Sequence, residues 1–370
     1  MRVLILADLP VHALPGFEDH TPSHSATWFV PLIKAWNPPP DLDLHWVTLS
    51  KRVRAAQSLT FCGQTFHLLP RGKLSIEMLT GFRRERAAIR RLTKELKPDL
   101  IHAWGTENGY AMAALDAPMP KLLSMQGILS QYCEVAKMPF LTRVQARTER
   151  RDLPRFNDIT VESPWGIEQV RRRAPDARLH HIEYGVDPAL IEIERNPAGN
   201  PVALFVGTLN SLKGVDTLLT AFQHPSLSHI ELRLLGDGPL RDSVSAPNIT
   251  FLGYRSHDEV ISEMCQAWCL VHPTLADTSP NCVKEARVLG LPVVTTPNGG
   301  QTQYVSHMRN GWIHQAGDIE QLIEGVRFLT IDRQSSISIG ENGKSDCRTA
   351  LSAATCADHF TSLYRQITAR

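Results

Sequence analysis

The chain has 370 residues, more than one hydrophobic core usually organises, so two domains of about 150–200 residues are expected. With 42% apolar and 21% charged residues its composition is that of an ordinary globular protein, and no apolar run approaches the ~18–20 residues a membrane-spanning helix needs. The net charge is only +1, but residues 1–190 carry 25 Lys/Arg against 20 Asp/Glu and residues 191–370 carry 14 against 18, so the first half is basic and the second acidic.

The opening run MRVLILADLP has one positive charge and no small-residue cleavage site, and reads as a buried first strand rather than an export signal. Seven scattered cysteines, odd in number, suit reduced thiols in a cytoplasmic protein. Short apolar runs then alternate with helix-length segments, the signature of a parallel sheet with crossover helices. Strands are expected near Val3–Ala7, Leu44–Leu49, Thr65–Leu69, Leu100–Trp104, Leu122–Met125 and Ile159–Val161. Between the third and fourth lies a predicted helix, Gly81–Lys97, with Phe82, Ile89, Leu92 and Leu96 close to one face. It carries Arg83, Arg84, Arg86, Arg90, Arg91, Lys94 and Lys97 against only Glu85 and Glu95. Such a helix suits either a solvated face or an anionic membrane surface. His102 lies within a strand and reads as structural, whereas Glu107 begins a loop and is the better polar candidate.

Ala198-Gly199-Asn200-Pro201 form a breaker cluster after which a fresh series begins, so a linker is expected there. The expected divisions are residues 1–195, residues 196–350, and a C-terminal stretch 351–370 returning toward the first domain. Further strands are predicted near Val202–Val206, Glu231–Leu235, Ile249–Leu252, Cys269–His272 and Pro292–Thr296, all spaced by helix-length stretches. The polar segment after Asp332 reads as a surface loop, and a last helix spans roughly Ala350–Ile367. Two doubly wound domains follow. Ligands of such sheets bind beyond the carboxyl ends of the strands, which makes the cleft between the domains the default site.

Two stretches carry chemistry. Val206-Gly207-Thr208-Leu209-Asn210-Ser211-Leu212-Lys213-Gly214 combines a strand end, a glycine turn and a lysine at a helix start, a geometry that presents amides and one ammonium to an anion. Asp277-Thr278-Ser279-Pro280-Asn281-Cys282-Val283-Lys284-Glu285 brackets seven residues with two carboxylates, and Asn298-Gly299-Gly300 follows. Carboxylates at strand-to-helix loops accept hydrogen bonds from sugar hydroxyls, although acids capping a helix give the same pattern.

In this order and spacing the two stretches closely resemble family 4 of the retaining GT-B glycosyltransferases (glycosyl transferases group 1), over nearly all of the second half. Leu235-Gly236-Asp237-Gly238-Pro239 is similar to the family's Gly-x-Gly-Pro turn, Phe251-Leu252-Gly253 to its base-binding strand, and Tyr184-Gly185-Val186-Asp187 to its Asn-Gly-Val-Asp. The resemblance implies a GT-B fold of two doubly wound Rossmann-like domains and a retaining transfer of a hexosyl unit from a nucleotide sugar to a saccharide or lipid-linked acceptor. It implies that Glu285 holds the nucleotide ribose, Asp277 faces the donor sugar where the family usually has Glu, Lys213 neutralises the diphosphate, and Gly299 and Gly300 supply amides. Thr208, Gly253 and Asn281 complete the implied donor set, and Gln126 and Glu107 join Asp277 and Lys213 as catalytic candidates. No metal, cofactor or nucleic acid is implied.

The chain also departs from the family. Thr208 stands where Arg is common, Gln303 where a Glu is often found after the double glycine, and Gln126 where many members have His. The Gly-Gly loop after the first strand is absent from Pro22–Trp28, where Ser25, Ala26 and Thr27 stand in its place. Asp41-Leu42-Asp43 matches the metal-binding Asp-x-Asp of the GT-A fold, but after three prolines it reads as acids in a turn. A GT-B epimerase and a non-catalytic nucleotide-sugar-binding protein are the rival readings.

Overall fold

The computed structural model describes residues 1–17, 26 and 28–370; Ser25 and Thr27 lie outside the described residues. The chain divides into two compact units. The first comprises Met1–Cys133, Met138–Gly185 and Ala353–Arg370, and the second Glu134–Lys137 and Val186–Ser352.

The first unit is built on an eight-stranded sheet: Arg2–Leu6 (β1), Asp43–Ser50 (β2), Gln57–Phe61 (β3), Gln64–Pro70 (β4), Leu100–Trp104 (β5), Lys121–Ser124 (β6), Asp158–Val161 (β7) and Arg178–His181 (β8). Their order is β3-β4-β2-β1-β5-β6-β7-β8, parallel throughout except for β3, which pairs antiparallel with β4. Helices cover both faces, so the central strands are apolar on both sides; every residue of β5 is buried. One face packs an aromatic cluster in which Trp36 meets Phe360 and Tyr364 of the last helix, Ala353–Thr368, Trp104 meets Phe360, and Trp46 lies against both tryptophans. His102 belongs to this core. Its ring nitrogens reach the Tyr364 hydroxyl and Ser124 Oγ, each at 2.7 Å, and burial lowers its pKa to about 3, so it stays neutral.

The second unit holds a six-stranded, wholly parallel sheet of Val202–Val206 (β9), Glu231–Leu235 (β10), Ile249–Gly253 (β11), Cys269–His272 (β12), Val293–Thr295 (β13) and Gly311–Ile313 (β14). The order is β11-β10-β9-β12-β13-β14. In both sheets the strand order reverses beside the first strand, between β1 and β5 and between β9 and β12. Such a reversal opens a crevice at the carboxyl ends.

Three strands escape the sequence pattern because they are edges. The β3 and β8 segments are polar and largely exposed, and β14 has only three residues. The expected loop after Asp332 is instead two helices, Arg333–Glu341 and Lys344–Ala350. Asp332 caps the first by accepting from Ser335 N at 2.8 Å, and Ser336 Oγ, fully buried, donates to the Trp268 carbonyl at 2.6 Å. A polar sequence folds here because its side chains satisfy backbone groups rather than burying apolar area.

Candidate functional site

Beyond β9 the chain turns at Gly207 and Asn210. The Asn210 side chain accepts from Lys213 N at 3.0 Å, closing a short turn, Ser211–Lys213, that leads into the helix Val215–Phe222. Gly214 adopts φ 69°, and a Cβ there would collide with the Pro273 carbonyl, so only glycine permits this approach to the loop after β12. That loop is fastened to the turn by Leu275 N and Thr274 Oγ1, which donate to the Leu212 carbonyl at 2.8 and 3.1 Å.

These contacts bring Lys213 against Asp277. Lys213 Nζ donates to Asp277 Oδ2, and His272 Nε2, from the last residue of β12, lies 3.2 Å from the same oxygen. Burial alone would raise the Asp277 carboxyl, but the Lys213 ammonium and the His272 hydrogen bond hold it well below the usual range. Burial depresses His272 despite Asp277, so the ring is neutral and Nε2 is the donor. Its Nδ1 faces Cys282 Sγ at 3.7 Å, and burial and the Asp277 charge push that thiol up to about 12. Cys282 is thus a neutral partner that completes the histidine's environment, not a nucleophile.

The Asp277 backbone ties in the double glycine. Its amide donates to the Asn298 carbonyl at 3.3 Å and its carbonyl accepts from Gly300 N at 3.0 Å, while a Cβ on Gly299 would strike that same carbonyl. Asn281 opens the helix Asn281–Leu289, and Glu285, one turn in, projects a mostly buried carboxylate. Glu285 Oε1 lies 2.9 Å from Nε2 of His257, the first residue of the helix His257–Gln266, and this bond raises the histidine's pKa. Oε2 carries no protein hydrogen bond among the described residues. Gly253 ends β11 at φ 73°. Thr208 is exposed on the turn, and Gln303 is exposed on the short turn Gly300–Gln303.

In the first unit, Gly105 turns the chain at the end of β5 with φ 79°, and Glu107 and Gln126 both approach the position its missing side chain would take. Glu107 Oε1 accepts from Gly127 N at 3.4 Å, and Gln145 Nε2 donates to the Glu107 carbonyl at 2.6 Å. Glu149 lies beneath, accepting from Thr106 Oγ1 and from the amides of Leu129 and Ser130 at 2.7–3.1 Å. Burial, with the Glu149 charge adding to it, pushes the Glu107 carboxyl up to about 7. Asp41 and Asp43 each have their own partners. Asp41 meets Arg365 at 3.0 Å, and Asp43 meets Arg2 at 2.7 Å and His45 at 3.1 Å.

The structure therefore gathers Lys213, Asp277, Asn281, Glu285, Gly299 and Gly300 around the carboxyl ends of β9 and β12, and Glu107 with Gln126 at those of β5 and β6. Sequence reasoning missed His272 and His257. The first could have been noticed as a polar end to a buried strand; the second lies 28 positions from its partner, with no local signal.

Comparison with known proteins bears on the same region. Residues 200–332 match the family described as Glycosyl transferases group 1. An uncharacterized glycosyltransferase of Methanocaldococcus jannaschii is 29% identical over 160 residues, 41% of this chain and 45% of that relative. The chain spans about half the length of the curated relatives it matches. Among solved structures, sucrose-phosphate synthase from Thermosynechococcus elongatus superposes with a TM-score of 0.82 at 16% identity, covering 100% of this chain and 99% of that one. Anabaena HepE in complex with UDP-glucose superposes at 0.69 with 17% identity, covering 99% and 100%. At these identities the likeness establishes the fold, which is GT-B.

Proposed function

We propose that the protein is a metal-independent retaining glycosyltransferase that moves a hexosyl unit from a nucleotide sugar to a saccharide or lipid-linked acceptor, in envelope polysaccharide or glycoconjugate synthesis. The observation that carries this reading is the convergence of an ammonium, two carboxylates and a double-glycine turn at the strand-order reversal of the unit that matches the family.

Departure of a nucleoside diphosphate develops positive charge at the anomeric carbon and negative charge on the phosphate oxygens, so the protein must stabilise both. Lys213 has three N–H donors and can keep Asp277 while giving another to a phosphate oxygen. Asp277, ionised far below neutral pH, accepts a donor-sugar hydroxyl and leaves His272 to fix its orientation. Glu285 has one oxygen occupied by His257 and the other available to a ribose hydroxyl. The amides of Gly299 and Gly300 border the donor, and Thr208, Gly253 and Asn281 line its approach. No enzyme nucleophile is required if the leaving phosphate takes the acceptor proton from the same face. In the first unit, Glu107 and Gln126 serve the acceptor hydroxyl, Glu107 with a pKa suited to exchanging a proton near neutrality.

The helix Arg83–Leu96 supports a peripheral position at the cytoplasmic leaflet. Arg83, Arg84, Arg91 and Lys94 are exposed on it, and the short helix before it, Leu74–Leu79, exposes Ile76 (54%) and Leu79 (88%). Glu85 is buried and drops out of the solvent face, while Asp116 meets Arg86 at 2.5 Å and Arg90 at 3.3 Å, so Arg83, Arg84, Arg91 and Lys94 are the main cations of that face. Each cation contributes ~1 kcal/mol near an anionic surface. Co-sedimentation with anionic but not neutral vesicles, weakening with salt, is the expected result; equal binding after Arg83, Arg84, Arg90 and Arg91 are changed to Glu rules it out.

The activity itself is tested by incubating purified protein with a panel of nucleotide sugars and acceptors. Transfer with retained anomeric configuration supports the proposal. Isomerisation of the donor without transfer, or saturable binding with no turnover, overturns it.

A further inference from the structure

The first unit contains a recess that none of the residues above occupies. Asp8 follows β1, Lys51 and Arg52 turn the chain after β2, and Arg71 follows β4, so the carboxyl ends of three neighbouring parallel strands converge on a cavity of about 260 Å3. At ~30 Å3 per water this holds roughly eight or nine waters, the scale of one sugar ring with a substituent.

Among the described residues its lining is mostly cationic: Lys51, Arg52 and Arg71 stand with one carboxylate, Asp8, and with His12. Asp8 meets Arg71 at 3.0 Å and also accepts from Asn108 Nδ2 at 3.3 Å, so it offsets one guanidinium at most. Glu85 is the next carboxyl to act on Arg71, and burial pushes it up to about 7, so near neutral pH it carries only part of a charge. The guanidinium is also preorganised. Nη1 donates to Asp8 at 3.1 Å and Nη2 to the Tyr110 hydroxyl at 3.2 Å; that hydroxyl, fully buried, is itself fixed by Leu49 N at 3.0 Å. The Arg71 side chain remains 15% exposed toward the recess. A fixed, partly exposed guanidinium beside a lysine is the arrangement that recognises phosphate or carboxylate oxygens, because little side-chain entropy is lost on binding.

We propose that this recess is an acceptor subsite for a sugar bearing an anionic group, phosphate or carboxylate, with Arg71 and Lys51 as its charge partners and Tyr110 as the positioning residue for Arg71. The inference rests on the glycosyltransferase reading, which makes the first unit's strand ends an acceptor site.

The test is equilibrium binding to the full chain, at low and raised salt, of glucose, glucose 6-phosphate, glucuronate and inorganic phosphate. The expected result is that an anionic sugar binds more tightly than glucose or free phosphate and weakens with salt. Preference for glucose 6-phosphate identifies the group as phosphate, and preference for glucuronate as carboxylate. Arg71→Gln should weaken that binding about tenfold or more. Lys51→Glu, on an exposed turn where folding is not at stake, should do the same. The subsite is overturned if glucose binds as well as its anionic relatives, if neither anionic sugar binds at millimolar concentration, or if Lys51→Glu binds unchanged. Binding of UDP, GDP and ADP to the wild type separates the two readings. Loss of all nucleotide binding defeats the donor site, whereas nucleotide binding without anionic-sugar binding defeats only the subsite.

Discussion

The two units share one topological device and use it differently. In the second, the polar groups at the strand-order reversal compensate one another. Lys213 and His272 share a single oxygen of Asp277, and His257 holds one oxygen of Glu285. In the first, Asp8 is met by Arg71 and Asn108, but among the described residues Glu107 has only Gln126 and the like-charged Glu149 beside it, so that carboxyl is left uncompensated. A site whose charges are matched before ligand arrives is suited to one conserved ligand chemistry, whereas an unbalanced site takes its missing charge from whatever it binds. The contrast accords with the donor and acceptor roles proposed for the two units.

Asp277→Asn should break this contrast most severely, because it strips Lys213 and His272 of their common acceptor. Transfer is expected to fall about 10²–10³-fold in kcat/KM, the scale of losing one preorganised polar group at a reaction centre. Steady-state rates at the wild-type level would remove Asp277 from the site. Glu285→Ala comes next, weakening nucleotide affinity about 10–100-fold with the fold intact, since the carboxylate bonds to one half-buried histidine and contributes little to packing. Titration calorimetry alongside a thermal melt separates that outcome from unfolding.

A smaller effect concerns the first unit. Glu107 titrates near 7 in the folded chain, against an unfolded value of 4.5, because burial and Glu149 disfavour its charge. Between those values the folded state holds a proton that the unfolded state has lost. The stabilisation is therefore full below pH 4.5 and disappears as pH rises through 7. Glu107→Gln should flatten this dependence, so that between pH 5 and pH 8 the wild-type Tm falls by roughly 2–4 °C more than that of the variant. Parallel melting curves would place the carboxyl elsewhere. The smallest effect expected is that of EDTA, which should leave transfer unchanged; a rate lost to chelation and restored by a divalent ion would contradict metal independence.

The sequence by itself determined the alternation that became two largely parallel sheets. Runs such as VLIL and VALFV can be buried on both faces only in that setting. It also singled out Lys213, Asp277, Glu285 and the double glycine, because each sits at a fixed offset from a strand end or helix start. What only the tertiary structure decided is what crosses between elements. The edge strands β3, β8 and β14 exist because a neighbour offers hydrogen bonds, and the helices after Asp332 because Trp268 and Asp332 satisfy polar groups. His272, His257 and Arg71 have their roles only through partners brought by other segments. Apolar periodicity is a local property of the chain, whereas the pairing of a buried polar atom depends on which distant segment the fold sets against it.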